Sequence, residues 1–237
     1  MNKKGTLYLI PTTLGEVQPD LVLPVTVKLI IEKLDHFIVE NNKTARRFIK
    51  NICPEKVQSE LILYTLDKRT TEQESNSFLD ICEKGLSIGL ISEAGVPGVA
   101  DPGANIVLLA HRKGIPVVPL VGPSSIILAM MSSGLNGQNF AFNGYLPVDK
   151  SDKKSAIKDF ERLSKSKNQS QIFIETPYRN NALFDDLKQN LNPETYLCIA
   201  ADITLGTEFI KTLKIKDWKS VPVDLHKRPA IFIFHQM

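Results

Sequence analysis

Long apolar runs are absent from this sequence. None approaches the roughly 18 apolar residues that a membrane-spanning helix needs, so no membrane partner is expected. The N-terminus is basic (Lys3, Lys4), but the apolar run behind it covers only Leu7 to Ile10 and stops at Pro11. That is too short for the core of a secretory signal. Cysteine is scarce: Cys53, Cys82 and Cys198 are odd in number, widely spaced and set among apolar or helical neighbours. They are expected to be reduced and packed, and with no export signal a cytoplasmic location follows. An excess of one charge is also missing. Lys plus Arg is 29 and Asp plus Glu is 26, a net of +3, too weak to identify a nucleic-acid partner.

Several ligand signatures are missing as well. There is no H-E-x-x-H and no paired C-x-x-C, so no metal is expected. G-x-G-x-x-G follows none of the predicted strands, which argues against a standard dinucleotide site. Gly98 and Gly103 have Walker-like spacing, yet Ala104-Asn105 stands where Lys-Ser/Thr would reach phosphates. Gly122-Pro123-Ser124-Ser125 resembles a G-x-S-x-G elbow only superficially. Ser124 is expected instead to cap a helix beginning near Ile126.

What remains is an ordinary globular composition, 43% hydrophobic and 23% charged over 237 residues. That length allows one to two domains at about 150 residues each and a core that needs no staple. Short apolar strands alternate with helical segments in the first half. Leu7–Ile10, Phe37–Val39, Leu86–Ser92 and Val117–Val121 read as strands. Val27, Ile30, Ile31 and Leu34 follow the i, i+3, i+4, i+7 spacing of a helix face. Asn105–Lys113 reads as a helix stopped by Gly114. Apolar strands separated by helices predict a mainly parallel sheet with helices packed on it. The second half is mixed. Strands are predicted at Phe140–Phe142 with Tyr145-Leu146, at Ile172–Ile174, Tyr196–Ala200, Glu208–Leu213 and Ala230–Phe234. Helices are predicted from about Ser151 and from Asn180 to Leu191. The expected architecture is α/β in two domains, 1–121 and 122–237, sharing a cleft.

The strongest local feature is Ser92-Glu93-Ala94-Gly95-Val96-Pro97-Gly98-Val99-Ala100-Asp101-Pro102-Gly103, which follows a strand and precedes a helix. Loops at the carboxyl ends of parallel strands are where α/β proteins bind ligands. A plain turn would need one Gly or Pro, whereas this segment has three Gly and two Pro. Asp101 is expected to organise the loop rather than abstract a proton.

These residues, followed by IPVVPLVGPSSIILAMMSSGL, FAFNGYLP and IFIETPYR, resemble the tetrapyrrole methylase family, the class III methyltransferases that use S-adenosylmethionine. Within it the chain looks most like the branch that methylates the 2′-hydroxyl of a 16S ribosomal RNA cytidine. The resemblance covers Leu7 to about Pro229. It implies two α/β domains, a cleft between them holding the donor, a homodimer, and ribosomal RNA or the small ribosomal subunit as substrate. By motif, Pro11 and Gly15 match the first donor loop, and Ser92, Ala94, Gly95, Val99, Asp101, Pro102 and Gly103 the central one. Ser124 and Ser125 match the third, while Ala201, Pro229 and Ala230 match the stretches that close on the adenosyl group. The chain departs from the branch in having Glu93 where Asp is usual, in its Glu40–Arg47 segment, and in ending at Met237 where many members carry an extra segment.

A ribose hydroxyl is a poor nucleophile, so a base within hydrogen-bond reach helps. Glu40 and Glu175 follow apolar strands and are candidates for it, with Arg179 or Arg46 to hold a phosphate. The competing readings are that Glu40 pairs with Arg46 or Arg47, and Glu175 with Arg179, as structural ties. Lys154, Lys158, Arg162 and Lys165 fall on one helical face with Ile157, Phe160 and Leu163 opposite. This is either a phosphate-binding stripe or a solvated surface. Phe140, Phe142 and Tyr145 are expected in the core rather than stacked on bases, Trp218 is expected to pack, and His36, His111, His226 and His235 are expected in surface or core roles. Three alternatives stay open: methylation of a tetrapyrrole or other small molecule, a non-catalytic donor-binding module, and a flavodoxin-like mononucleotide binder, which Pro11-Thr12-Thr13 fits poorly.

Overall fold

The computed structural model describes residues 3–67 and 69–237. The chain forms two compact units, Met1–Ser124 and Ser125–Met237. In the first, strands β1 (Leu7–Ile10), β2 (His36–Val39), β3 (Ile62–Thr65), β4 (Ile88–Ile91) and β5 (Val117–Pro119) form one sheet. Its order is β3-β2-β4-β1-β5, and every pairing is parallel. Helices α1 (Val25–Lys33), α2 (Asn42–Ile52), α3 (Glu72–Ser77), α4 (Asp80–Glu83) and α5 (Gly103–Arg112) connect the strands.

Alternation along the strands explains why helices cover both faces. On one face Ile10, Phe37, Val39 and Ile91 pack with Val27 and Ile31 of α1 and Ala45 and Ile49 of α2. On the other, Leu7, Ile38, Ile88 and Leu90 pack with Cys82 of α4 and Ile106 and Ala110 of α5. Each fully buried Val, Leu, Ile or Phe among them contributes about 1.5–3 kcal/mol. α5 ends as its sequence predicts: His111 and Arg112 stand in the last turn, and Gly114 takes a left-handed conformation at φ 60°.

The second unit holds α6 (Ser125–Ser133), β6 (Phe140–Phe142), α7 (Lys150–Lys167), β7 (Ser170–Ile174), α8 (Asn180–Asn190), β8 (Tyr196–Ala201), β9 (Phe209–Lys214) and β10 (Ala230–His235). Its sheet order is β6-β7-β10-β8-β9. Only β6–β7 is parallel; the other three pairings are antiparallel. The mixed character predicted for this half is therefore present. Phe173, Phe232, Phe234, Leu197 and Ile199 form its core with Trp218, whose indole N–H donates to the Leu197 carbonyl at 3.0 Å.

Three local expectations are corrected, and one strand and one helix are added. Tyr145-Leu146 is not strand: Gly144, left-handed at φ 68°, turns the chain out of β6. Phe140 and Tyr145 are 37% and 59% exposed rather than in the core, because β6 is an edge strand and Tyr145 lies beyond its end. Leu163 faces outward, and the buried face of α7 is Ile157, Glu161 and Ser164. The helix is turned that way because the Glu161 carboxylate accepts hydrogen bonds from the Asn192 backbone N–H and the Thr195 hydroxyl, both at 2.6 Å. Finally, β3 and α2 appear where the apolar pattern singles out nothing. β3 is four residues long and half exposed at the sheet edge, so it lacks the apolar run of a central strand.

Candidate active site

Strand order builds the candidate site. β4 lies between β1 and β2, and the register pairs Ile91 with both Ile10 and Val39. The next residues, Pro11, Glu40 and Ser92, therefore leave the carboxyl edge of the sheet side by side. The chain doubles back here, since β4 inserts between strands already laid down; such switch points are where open α/β sheets bind ligands.

The loop Ser92–Gly103 is held by its own groups. The Asp101 carboxylate accepts from the Gly98 N–H, 2.9 Å from each oxygen, and from the Gly103 N–H at 2.8 Å. Asp101 thus organises the loop, as its sequence context suggests. Ser92 donates its hydroxyl to the Gly95 carbonyl at 2.6 Å, and the Thr12 N–H donates to the same carbonyl at 2.9 Å. Two glycines are required by geometry. Gly95 has φ +73°, and a Cβ there would lie 2.9 Å from the Pro123 carbonyl oxygen. At Gly103 a Cβ would lie 2.9 Å from both Asp101 Oδ1 and Leu90 Cδ2. Ala100 is held at φ 62°, a strained conformation of the kind that clusters at functional sites.

Glu40 stands beside this loop. It lines a cavity of about 460 Å³ with Leu66, Asp67, Ala100, Asp101 and Pro102. Burial first, then the charge of Asp101, lifts its carboxyl above the ordinary range, against a backbone hydrogen bond from Glu93 that holds it down. Burial likewise raises the Asp101 carboxyl, opposed by the Gly103 and Gly98 N–H groups. The ties considered for Glu40 do not form. Arg46 donates to the Gln58 and Leu61 carbonyls, and Arg47 pairs with Glu16 at 3.5 Å. A raised carboxylate pKa in a concave site is a functional signal with a physical cause.

A second cavity, about 630 Å³, is walled by Thr12–Pro19, by Thr44, Arg47, Phe48 and Asn51 of α2, and by Ser92 and Glu93. The Thr44 hydroxyl donates to Glu93 Oε1 at 2.7 Å, tying α2 to the loop. The volume is within the range of small-molecule sites. Thr44 and Asp67 carry no site signal in the sequence; only their neighbours in the fold mark them.

The other site candidates fall elsewhere. In the second unit Glu175 is buried in an ion pair with Arg179 at 2.6 Å and accepts from Arg179 Nε and the Thr176 N–H. The pair ties the end of β7 to the start of α8, the structural tie considered for Glu175. Ala201 pairs with Ala230 across β8 and β10, and the Asp202 N–H donates to the Pro229 carbonyl at 2.9 Å. Those three candidates do converge. Val99 lies exposed in the Ser92–Gly103 loop, and Ser124 and Ser125 sit where the two units divide. Among the described residues, no group of three or more His, Cys, Asp or Glu is placed to hold a metal, and no helix is long and apolar enough to cross a membrane.

No protein-family model matches the chain. Solved structures share its fold. Uroporphyrin-III C-methyltransferase from Thermus thermophilus, complexed with S-adenosylhomocysteine, superposes with a TM-score of 0.57 at 16% identity, covering 98% of each chain. The fold is shared with tetrapyrrole and precorrin methyltransferases, in keeping with the resemblance in sequence. Its sequence relatives narrow the comparison. It is 28% identical to Ribosomal RNA small subunit methyltransferase I of Buchnera aphidicola, over 98% of this chain and 79% of that one. It is 26% identical to the protein of the same name from Vibrio cholerae, over 99% and 78%.

Proposed function

We propose that this protein transfers the methyl group of S-adenosylmethionine to a ribose 2′-hydroxyl of small-subunit ribosomal RNA. The observation that carries the reading is the Asp101-clamped loop at the switch point with Glu40 beside it. The chemistry suits the residues. A sulfonium donor needs a close-fitting seat of main-chain amides and carbonyls, and Gly95, Gly98 and Gly103 keep the backbone of this loop bare. Ser92, Ala94, Gly95, Val99, Asp101, Pro102 and Gly103 are the proposed donor contacts of the first unit, with Pro11 and Gly15 from the first loop. Ser124, Ser125, Ala201, Pro229 and Ala230 are proposed to complete the set. When bound, the donor supplies an electrophilic methyl group.

Glu40 is the proposed base. Its raised carboxyl is a better match to a hydroxyl proton than an ordinary carboxylate, because base efficiency improves as the pKa approaches the working pH. Alignment of donor and acceptor by the rigid loop supplies much of the remaining acceleration. Glu175 and Arg179 take a positioning role, holding the loop after β7 through their ion pair. The reading carries a cytoplasmic homodimer with it.

The test is mass spectrometry of small-subunit ribosomal RNA from cells with and without the protein. One 2′-O-methyl nucleotide missing from the depleted cells supports the reading. An unchanged set of methylated nucleotides, with methyl transfer to a tetrapyrrole in vitro, would replace it.

A further inference from the structure

The positive charge of this chain is concentrated on one helix. α7 carries seven Lys or Arg and three Asp or Glu among its 18 residues. Its surplus of four exceeds the +3 of the whole chain, so the rest of the sequence is one charge negative. Exposure sorts these charges further. Lys154, Lys158, Arg162 and Lys165 are all exposed, and at about 100° per residue they occupy a strip about 80° wide. Asp152 and Asp159 lie on the other flank of the exposed surface, and the third acid, Glu161, is buried.

Little holds the strip for structural ends. Lys154 and Lys165 make no ion pair among the described residues, Lys158 reaches Glu161 only at 3.5 Å, and Arg162 pairs with Asp159 one turn away on the exposed surface. Exposed pairs of that kind contribute little and exchange readily for another anion. The helix itself is rigidly mounted. Its inner face is in the core of the unit, Asp149 caps its start, and the Asn139 and Asn136 side chains bind the Lys167 and Asn168 carbonyls at its end.

We propose that this strip of α7 is a docking surface for the phosphate backbone of RNA, distinct from the carboxylate-lined site of the first unit. The inference rests on the RNA reading of the function and adds the place where the substrate is gripped. Nucleic acid suits the surface better than an anionic membrane does. An interfacial helix must insert a wide apolar face, and the apolar face of α7 is already packed in the core, with Leu163 the one large apolar side chain exposed on it. Lysines on a fixed helix grip phosphates without reading bases, so binding is independent of sequence and strongly salt-dependent.

The experiment compares the wild type with K154Q/K165Q, which removes two unpaired charges, and with K211Q/K219Q, a charge-matched control in the same unit. Binding of a labelled oligouridylate of about 20 nucleotides is followed between about 50 and 200 mM salt. Each single-strand phosphate contact contributes about 0.7 to the slope of log K against log salt. Four contacts weaken wild-type binding about 50-fold over that range, and K154Q/K165Q about sevenfold. The control should keep the wild-type slope. With small ribosomal subunits as methyl acceptor, K154Q/K165Q should raise KM and leave kcat unchanged, the mark of lost uniform binding. Equal slopes for all three proteins would overturn the proposal, as would binding to phosphatidylglycerol vesicles in place of the oligonucleotide. A wild type that methylates ribosomal RNA while K154Q/K165Q keeps its KM removes the docking surface and leaves the function standing. A wild type that methylates no RNA removes both.

Discussion

Replacing Asp101 by Ala tests the donor loop directly. The carboxylate satisfies two backbone donors, Gly98 N–H and Gly103 N–H, at 2.8–2.9 Å. A hydrogen bond to a charged acceptor contributes about 1.5–3 kcal/mol. Asp101 is only partly buried, so the lower value applies, about 3 kcal/mol for the two. If the loop must then be ordered at the moment of binding, that cost weakens donor affinity by about 150-fold at 1.4 kcal/mol per tenfold. Any share lost from the fold itself lowers Tm by about 2–4 °C per kcal/mol in a chain of this size. Asp101→Asn keeps one acceptor oxygen and should lose about tenfold in affinity. It also removes the charge that helps to lift Glu40, so the acid limb of its pH–rate profile should move down. Titration calorimetry with S-adenosylhomocysteine, which cannot react, reads the affinity. A folded Asp101→Ala protein that binds this compound as the wild type does would refute the clamp.

Other expectations follow from the same geometry. Glu40→Gln should lose about 10²- to 10⁴-fold in kcat while calorimetric donor affinity is unchanged, and the wild-type acid limb should lie above the ordinary carboxylate range. The folded protein also holds the Glu40 proton more tightly than the unfolded chain. This group's contribution to stability therefore falls as pH rises from the ordinary value through the raised one, and denaturant titrations should show Glu40→Gln gaining on the wild type across that window. Gly103→Val drives a side chain into Asp101 and Leu90; far-UV circular dichroism should stay native while donor binding disappears, and retained binding would place the donor elsewhere. Burial pushes the Cys82 thiol up to about 11 and raises Cys53 and Cys198 as well. Because the thiolate is the reactive form, iodoacetamide at about pH 8 should label none of the three until the protein unfolds, and mass spectrometry counts the adducts.

The sequence by itself determined much of this protein. Runs such as Leu7–Ile10 and Ile231–Phe234 are short, apolar and bounded by turn residues, and so read as core strands. The concentration of Gly and Pro in Ser92–Gly103 marked the loop, because local backbone geometry is written locally. Asp101 as an organiser was legible for the same reason, since its partners lie two and three residues away. Other features belong to the tertiary structure alone. Nothing in the chain says that β4 inserts between β1 and β2, yet that order sets Pro11, Glu40 and Ser92 side by side. Glu40 gains its raised carboxyl from burial and from Asp101, 61 positions away, a distance no periodicity spans. α7 faces against its periodicity at Leu163 because a buried carboxylate, Glu161, outweighs an exposed leucine once Thr195 and Asn192 arrive to satisfy it. Periodicity reports what each residue prefers, whereas packing decides which preferences are met, since hydrogen bonds and charges act between groups that only the folded chain brings together.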